Sequence, residues 1–314
     1  MTTTTTVPTG PAFYASVDTM KESKDGEAHD LSAAQILDNV ILSASMGNNY
    51  VSVNTHLEYP DVMGQWVQTI RAAGKSVWFR LGTSKCSQSR ASYLTQMQKL
   101  IVDHPGYFRS GDIFDGDTEN ENSCYWTQQC GSRGPYGCPD EFNTFTQNLT
   151  TYADQAFAQI GVTGVITWIH STDPGTATTG LLNARTVQVD HNTVTVDAYP
   201  DQNTTDPNTA AQSWLNQLEE IHNAWPNADV VIGEAGYCLS IDVSDATQAS
   251  VLSAEFAAIE RANYPWLKGW NYWVGAGGPA YGGNTNIISG STGSWRVRAA
   301  SSVLSDFYRF QLAK

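Results

Sequence analysis

Short runs rich in β-branched and aromatic residues alternate along this chain with longer stretches whose apolar residues recur at helical spacing. The runs at 12–17 (AFYASV), 50–54 (YVSVN), 76–81 (SVWFRL), 113–117 (IFDGD), 164–169 (GVITWI), 193–198 (TVTVDA), 229–233 (DVVIG) and 269–274 (GWNYWV) predict eight strands. Most are nearly continuous apolar runs rather than strict alternations, the pattern of strands covered on both faces. Helices are predicted over 32–46, 62–73, 93–103, 142–160, 209–224, 246–262 and 297–310; in the first, Ile36, Val40, Ile41 and Leu42 fall near one face. Gly74 follows the second helix at the position of a left-handed cap.

Strands separated by helices imply a parallel sheet with right-handed crossovers, and eight of them close into a (β/α)8, or TIM, barrel. The interval between the fifth and sixth strands shows no clear helix. The competing architecture is an open doubly wound sheet, but no Gly-x-Gly-x-x-Gly turn follows the first strand. Residues 1–10, a Thr/Pro-rich stretch, read as the remnant of a linker, leaving 11–314 as one barrel domain of ordinary length.

Composition narrows the function. The chain has 31 acidic against 17 basic residues, a net charge of −14, and no basic cluster. Such a surface repels nucleic-acid phosphates, so neutral ligands are favoured over polyanions. No apolar run approaches the length of about 18 residues that suggests a membrane span. Cys124, Cys130 and Cys138 crowd a polar insertion after the fourth strand, with Cys86 and Cys238 elsewhere. Without paired Cys-x2-Cys spacings, this density predicts one or two disulfides rather than a zinc knot. Together with the linker it points to an exported, extracellular protein.

Active sites of such barrels lie at the C-terminal ends of the strands. The side chains there are Asp18, His56 and Glu58, Arg80, Glu119 and Glu121, Trp168 and His170, Asp197 and Tyr199, Glu234, and Trp270 and Trp273. Paired carboxyl groups with indole platforms are what cleavage of a glycosidic bond needs: one acid for the departing oxygen, one carboxylate for the developing oxocarbenium ion. Glu234 stands out, because a charge directly after the buried run Val230-Val231-Ile232 is costly unless paired or functional. The bland readings stay open elsewhere. His56 and His170 are isolated histidines of the kind that is often structural, Tyr199 has strand propensity of its own, and Arg80 could form a surface salt bridge. Period two puts Trp270 and Trp273 on opposite faces without saying which is inward.

The segment Ile232-Gly-Glu-Ala-Gly-Tyr237 resembles the seventh-strand nucleophile segment of the clan A glycoside hydrolases, retaining barrel enzymes acting on β-linked sugars. That resemblance places an acid/base Glu at the end of the fourth strand after an Asn. An ungapped match puts Thr118 at the Asn and Glu119 at the acid/base; sliding by two puts Asn120-Glu121 there but overextends the strand. The replacement at Thr118 puts in question the contact that the clan's Asn makes with the sugar 2-hydroxyl. The resemblance further implies Tyr199 beside the nucleophile, Trp270 or Trp273 as a sugar platform, and Trp168, His170, Arg80, His56 and Asp197 as substrate-binding candidates. It implies no cofactor or catalytic metal, and a β-linked oligo- or polysaccharide substrate. A retaining pair should stand about 5–5.5 Å apart. The alternative is a barrel that binds carbohydrate without cleaving it. An esterase is set aside, since no Gly-x-Ser-x-Gly elbow is present. The Cys124–Cys138 insertion is expected to overhang one end of the cleft, and its removal to alter substrate preference more than stability.

Overall fold

The computed structural model describes residues 12–24, 31–171, 193–200, 203–277, 283–290 and 294–314. Eight parallel strands close on themselves in sequence order: β1 (Tyr14–Asp18), β2 (Tyr50–His56), β3 (Ser76–Gly82), β4 (Ile113–Asp115), β5 (Ile166–Ser171), β6 (Thr193–Asp197), β7 (Asp229–Ala235) and β8 (Leu267–Tyr272). Pairing of β8 with β1, from Tyr14 opposite Gly269 to Val17 opposite Tyr272, completes the ring. Around it run α1 (Met20–Ser23), α2 (Ala33–Ala44), α3 (Pro60–Ala72), α4 (Arg90–Asp103), α5 (Cys124–Cys130), α6 (Pro139–Gln159), α7 (Pro207–Ala224), α8 (Asp245–Ala262) and α9 (Ala300–Leu312). The predicted linker at 1–10 and the interval 172–192 between β5 and β6 lie outside the described residues. No helix among the described residues is long and apolar enough to cross a membrane.

Helix starts follow local chemistry. Ser32 and Gln35 form a reciprocal capping box at α2, and the side chains of Asp206 and Ser244 accept the N3 amides of α7 and α8. Each satisfies a backbone donor that the helix geometry leaves open.

Alternation along the strands divides the apolar side chains in two. Tyr50, Trp78, Ile113, Ile166, Trp168 and Val231, with Tyr14 packed against them, form a separate cluster inside the barrel. Their outward neighbours, among them Val51, Phe79, Phe114, Ile232 and Trp270, belong to the large cluster between barrel and helices. Two residues beyond the inward cluster on three of these strands come charged groups: Arg80 after Trp78, Asp115 after Ile113, His170 after Trp168. The lower barrel is therefore plugged with aromatic rings and the upper barrel lined with charge.

The Cys-rich insertion after β4 is present as expected, with two disulfides. It contains a short 3-10 turn at Asn120–Asn122, then α5 and a second turn, and is tied down by disulfides Cys86–Cys124 and Cys130–Cys138, with Cys238 buried outside both disulfides. It also drives Tyr125 and Trp126 into the main core, where both pack on Phe145 and Trp126 meets Phe142. Its removal would open that core, so the expectation that substrate preference would suffer more than stability is withdrawn.

Candidate active site

Glu234 sits at the mouth of the barrel, 5% exposed. Strict alternation from the inward Val231 would make Gly233 inward and turn Glu234 toward the helices. Register irregularities change this. Between Val196 and Asp197 of β6, β7 advances two residues, from Ile232 to Glu234, and it advances three against two on β8. Such a bulge re-aims a side chain, and here it turns Glu234 into the barrel. Asn271 of β8 donates to the Gly233 carbonyl at 2.8 Å, and the Ala198 amide to the Glu234 carbonyl at 2.9 Å. Gly233 is sterically required. A Cβ there would stand 2.6 Å from the His170 ring and 2.7 Å from Thr195.

The Glu234 carboxylate is fully engaged. Arg80, fully buried, donates to Oε1 at 2.5 Å and Tyr199 donates to Oε2 at 3.1 Å. The same guanidinium binds Asp18, which also accepts from Asn271 at 2.8 Å and from the Met20 amide at 2.6 Å. Burial, seconded by Glu119 and Asp18, raises the Glu234 pKa above the ordinary carboxylate range, with Arg80 and His170 opposing. Burial by itself would lower the affinity of Arg80 for its proton, but Glu234, Asp18, Asp197 and Asp115 hold it charged.

A second charged row crosses β4, β5 and β6. His170, fully buried, places Nδ1 2.7 Å from Asp115 and Nε2 2.7 Å from Asp197. Burial disfavours its charged form, but the two aspartates outweigh that and push its pKa well above the usual histidine value. The imidazolium is thus the natural state.

Glu119 follows β4 in the left-handed region, φ 53°, an uncommon conformation for a residue other than glycine. It is fixed by its neighbour Asn120. Asn120 donates to Thr146 at 2.9 Å and accepts from the Trp126 indole and Tyr125, each at 3.0 Å. One carboxylate oxygen from each of Glu119, Asp197 and Glu234 lies within 4.8 Å of the other two. Glu121 is not part of this cluster. It lies in the turn after Glu119, as one of the negative charges acting on buried Asp117.

The structure thus brings together Glu234, Glu119, Tyr199, Arg80, His170 and Asp197. Trp273, just past the end of β8, joins them at the rim, edge-on to Tyr199 at 6.2 Å and with its indole N–H toward Met20 Sδ at 3.3 Å. Trp270 is elsewhere. It faces outward among Trp214, Phe256 and Phe307, and cannot serve as a sugar platform. Trp168 is one layer too deep, packed edge-on against Tyr14 and Trp78 inside the plug. His56 ends β2 beside Tyr59, outside the carboxylate cluster. Asp115 and Asn271 were not singled out from sequence. Their signal was a polar residue at the inward parity of a buried strand.

No family model matches the sequence, and no curated protein matches it. Solved structures do match. An exo-β-1,4-mannosidase from Opitutaceae bacterium strain TAV5 superposes with a TM-score of 0.70 at 12% identity, covering 96% of this chain and 60% of that one. The chain therefore spans about three-fifths of the mannosidase's length. A GH5_18 protein from Streptomyces cattleya, solved with Manβ1-4GlcNAc, gives 0.68 at 14% identity, covering 94% and 80%. Fungal β-1,4-galactanases give 0.58 at 14%, covering 94% and 99%. The fold is that of the clan A glycoside hydrolase barrels.

Proposed function

We propose that the chain is a retaining glycoside hydrolase acting on a β-linked, uncharged oligo- or polysaccharide, and that it works outside the cell. The observation that carries this reading is the pair of carboxyl groups at the ends of β4 and β7, with oxygens within 4.8 Å. An oxygen approach that close suits the about 5–5.5 Å of a double-displacement pair better than the about 6.5–9.5 Å of an inverting one.

Glu234 is the nucleophile. Arg80 and Tyr199 hold its carboxylate in place for attack on the anomeric carbon. Glu119, on the less buried side of the cluster, donates a proton to the departing oxygen and then takes one from the water that releases the sugar. Trp273 offers its indole as a wall of the same subsite. The two disulfides fit an oxidising compartment.

The test is reducing-sugar release from β-mannans, β-glucans, β-xylans and β-galactans by the wild type and by Glu234→Gln, Glu119→Gln and Glu121→Gln. Cleavage of one class is expected. Loss of Glu119 should lower turnover by about 10²–10⁴-fold, Glu234→Gln at least as much, and Glu121→Gln far less. Binding without turnover by the wild type would overturn the assignment in favour of a lectin-like barrel.

A further inference from the structure

Asp197 is the third member of the carboxylate cluster, and the double-displacement chemistry leaves it without a task. One of its oxygens is occupied: Oδ1 lies 2.7 Å from His170 Nε2. The other, Oδ2, is buried and has no hydrogen-bond partner among the described residues, although the side chain is only 2% exposed. A buried carboxyl oxygen without a partner is costly unless a ligand completes it. The location names the ligand. Asp197 reaches within 4.8 Å of both the attacking and the proton-donating carboxyls, so whatever meets it lies beside the carbon under attack. Around an anomeric carbon, the substituent close to both groups and able to hydrogen-bond is the hydroxyl on the adjacent ring carbon.

A neighbouring polar group is already spent. Thr118, the residue before Glu119, directs its hydroxyl at 2.8 Å to Asp115, which in turn holds His170. Thr118 therefore braces the Asp115–His170–Asp197 row rather than the substrate.

We propose that Asp197 Oδ2 binds the 2-hydroxyl of the sugar unit attacked by Glu234, an assignment that rests on the glycosidase reading above. Burial first, and then the charge of Glu234, push the Asp197 carboxyl well above the usual carboxylate range, with His170 and Arg80 opposing. Oδ2 and the hydroxyl then share one hydrogen bond, which gives the buried oxygen the partner it lacks. That contact strengthens as positive charge develops on the sugar.

The experiment compares two kinds of aryl glycoside. 2,4-Dinitrophenyl β-mannoside and β-glucoside differ at the 2-hydroxyl, and removing it from either gives the same 2-deoxy glycoside. Asp197→Ala is expected to lower kcat/KM on the cleaved parent by about 100-fold or more, and on the 2-deoxy glycoside by less than about 3-fold. Asp197→Asn, whose amide oxygen accepts from His170 while its nitrogen keeps a polar atom toward the hydroxyl, should stay within about 5-fold of wild type on the parent. An equal fall on parent and 2-deoxy substrates would overturn the proposal and leave Asp197 as a brace for His170. Should the alanine variant not fold, Asp197→Ser keeps a polar atom but is too short to reach the sugar, and the same comparison decides. Absence of turnover by the wild type on these glycosides and on the polysaccharide panel overturns both readings together.

Discussion

Arg80 shows how much one side chain can carry. It rises from the inner face of β3 into a site where five carboxyl groups, Asp18, Asp115, Asp197, Glu119 and Glu234, face two cations, itself and His170. Its guanidinium serves Asp18 and Glu234 at once from full burial, and a planar fork is the only cationic side chain with donors fixed for that. Arg80→Met would strand two buried carboxyls. Removing one partner of a buried pair costs about 3–5 kcal/mol, so urea unfolding should show a loss of that order. The Glu234 pKa, already raised by burial, would rise further without its main opposing charge. As the proposed nucleophile it must be ionised for attack, so activity is expected to fall as pH drops through that pKa. The acidic limb of the kcat/KM profile should therefore move to higher pH in the variant. An unmoved limb would separate Arg80 from the nucleophile.

At the scale of elements, the segment after β4 does two jobs. It presents Glu119, and it finishes the core over α4 and α6. Trp126→Ala should accordingly cost about 3–5 kcal/mol in chemical denaturation, the range for a buried indole, whereas a decorative overhang would lose far less. Buried Asp117 in the same segment stands 2.5 Å from the Tyr125 hydroxyl, and burial pushes its pKa up to about 8. The folded state then keeps a proton that the unfolded chain gives up near the ordinary Asp value of about 3.9. Between those points the native state binds more protons, so this group lowers stability as pH rises and levels off above about 8. Asp117→Asn, which mimics the protonated acid, should gain in Tm over wild type progressively from pH 4 to 8. A constant difference would refute the account.

Much of this was legible in the sequence, because strand and helix periods are local. All eight strands are legible to within a few residues, and Glu234 is conspicuous as a charge that ends a buried run. What escaped depended on pairing. The β7 bulge that turns Glu234 inward exists only relative to β6 and β8. The end of β8 falls at Tyr272 rather than 274, and that shift decides that Trp273 reaches the rim while Trp270 faces the helices. Similarly, the choice of Glu119 over Glu121 as the residue facing Glu234 is made by a left-handed backbone at one position, which no propensity announces for a glutamate. Tyr125 and Trp126 looked like loop residues because their partners in α4 and α6 are distant in sequence.

For the whole molecule, fold and chemistry occupy different layers of one barrel. The helices and the outward faces of the strands supply the large core, the inward aromatic cluster closes the lower barrel, and the charged row above it is where the chain tolerates electrostatic cost. The net charge of −14 extends that negative character to the whole chain and is compatible with the uncharged substrate proposed above. The inward plug has a further consequence. With Trp78 and Trp168 crossed edge-on at its centre, 5.2 Å apart, the barrel is a well with one mouth rather than a channel. Under the proposed reaction, incoming water and outgoing alcohol would share the one mouth that the described residues leave open. In a two-step displacement this imposes an order: the second reactant arrives only as the first product vacates, and a sugar acceptor lingering at the mouth competes directly with water for the glycosyl group.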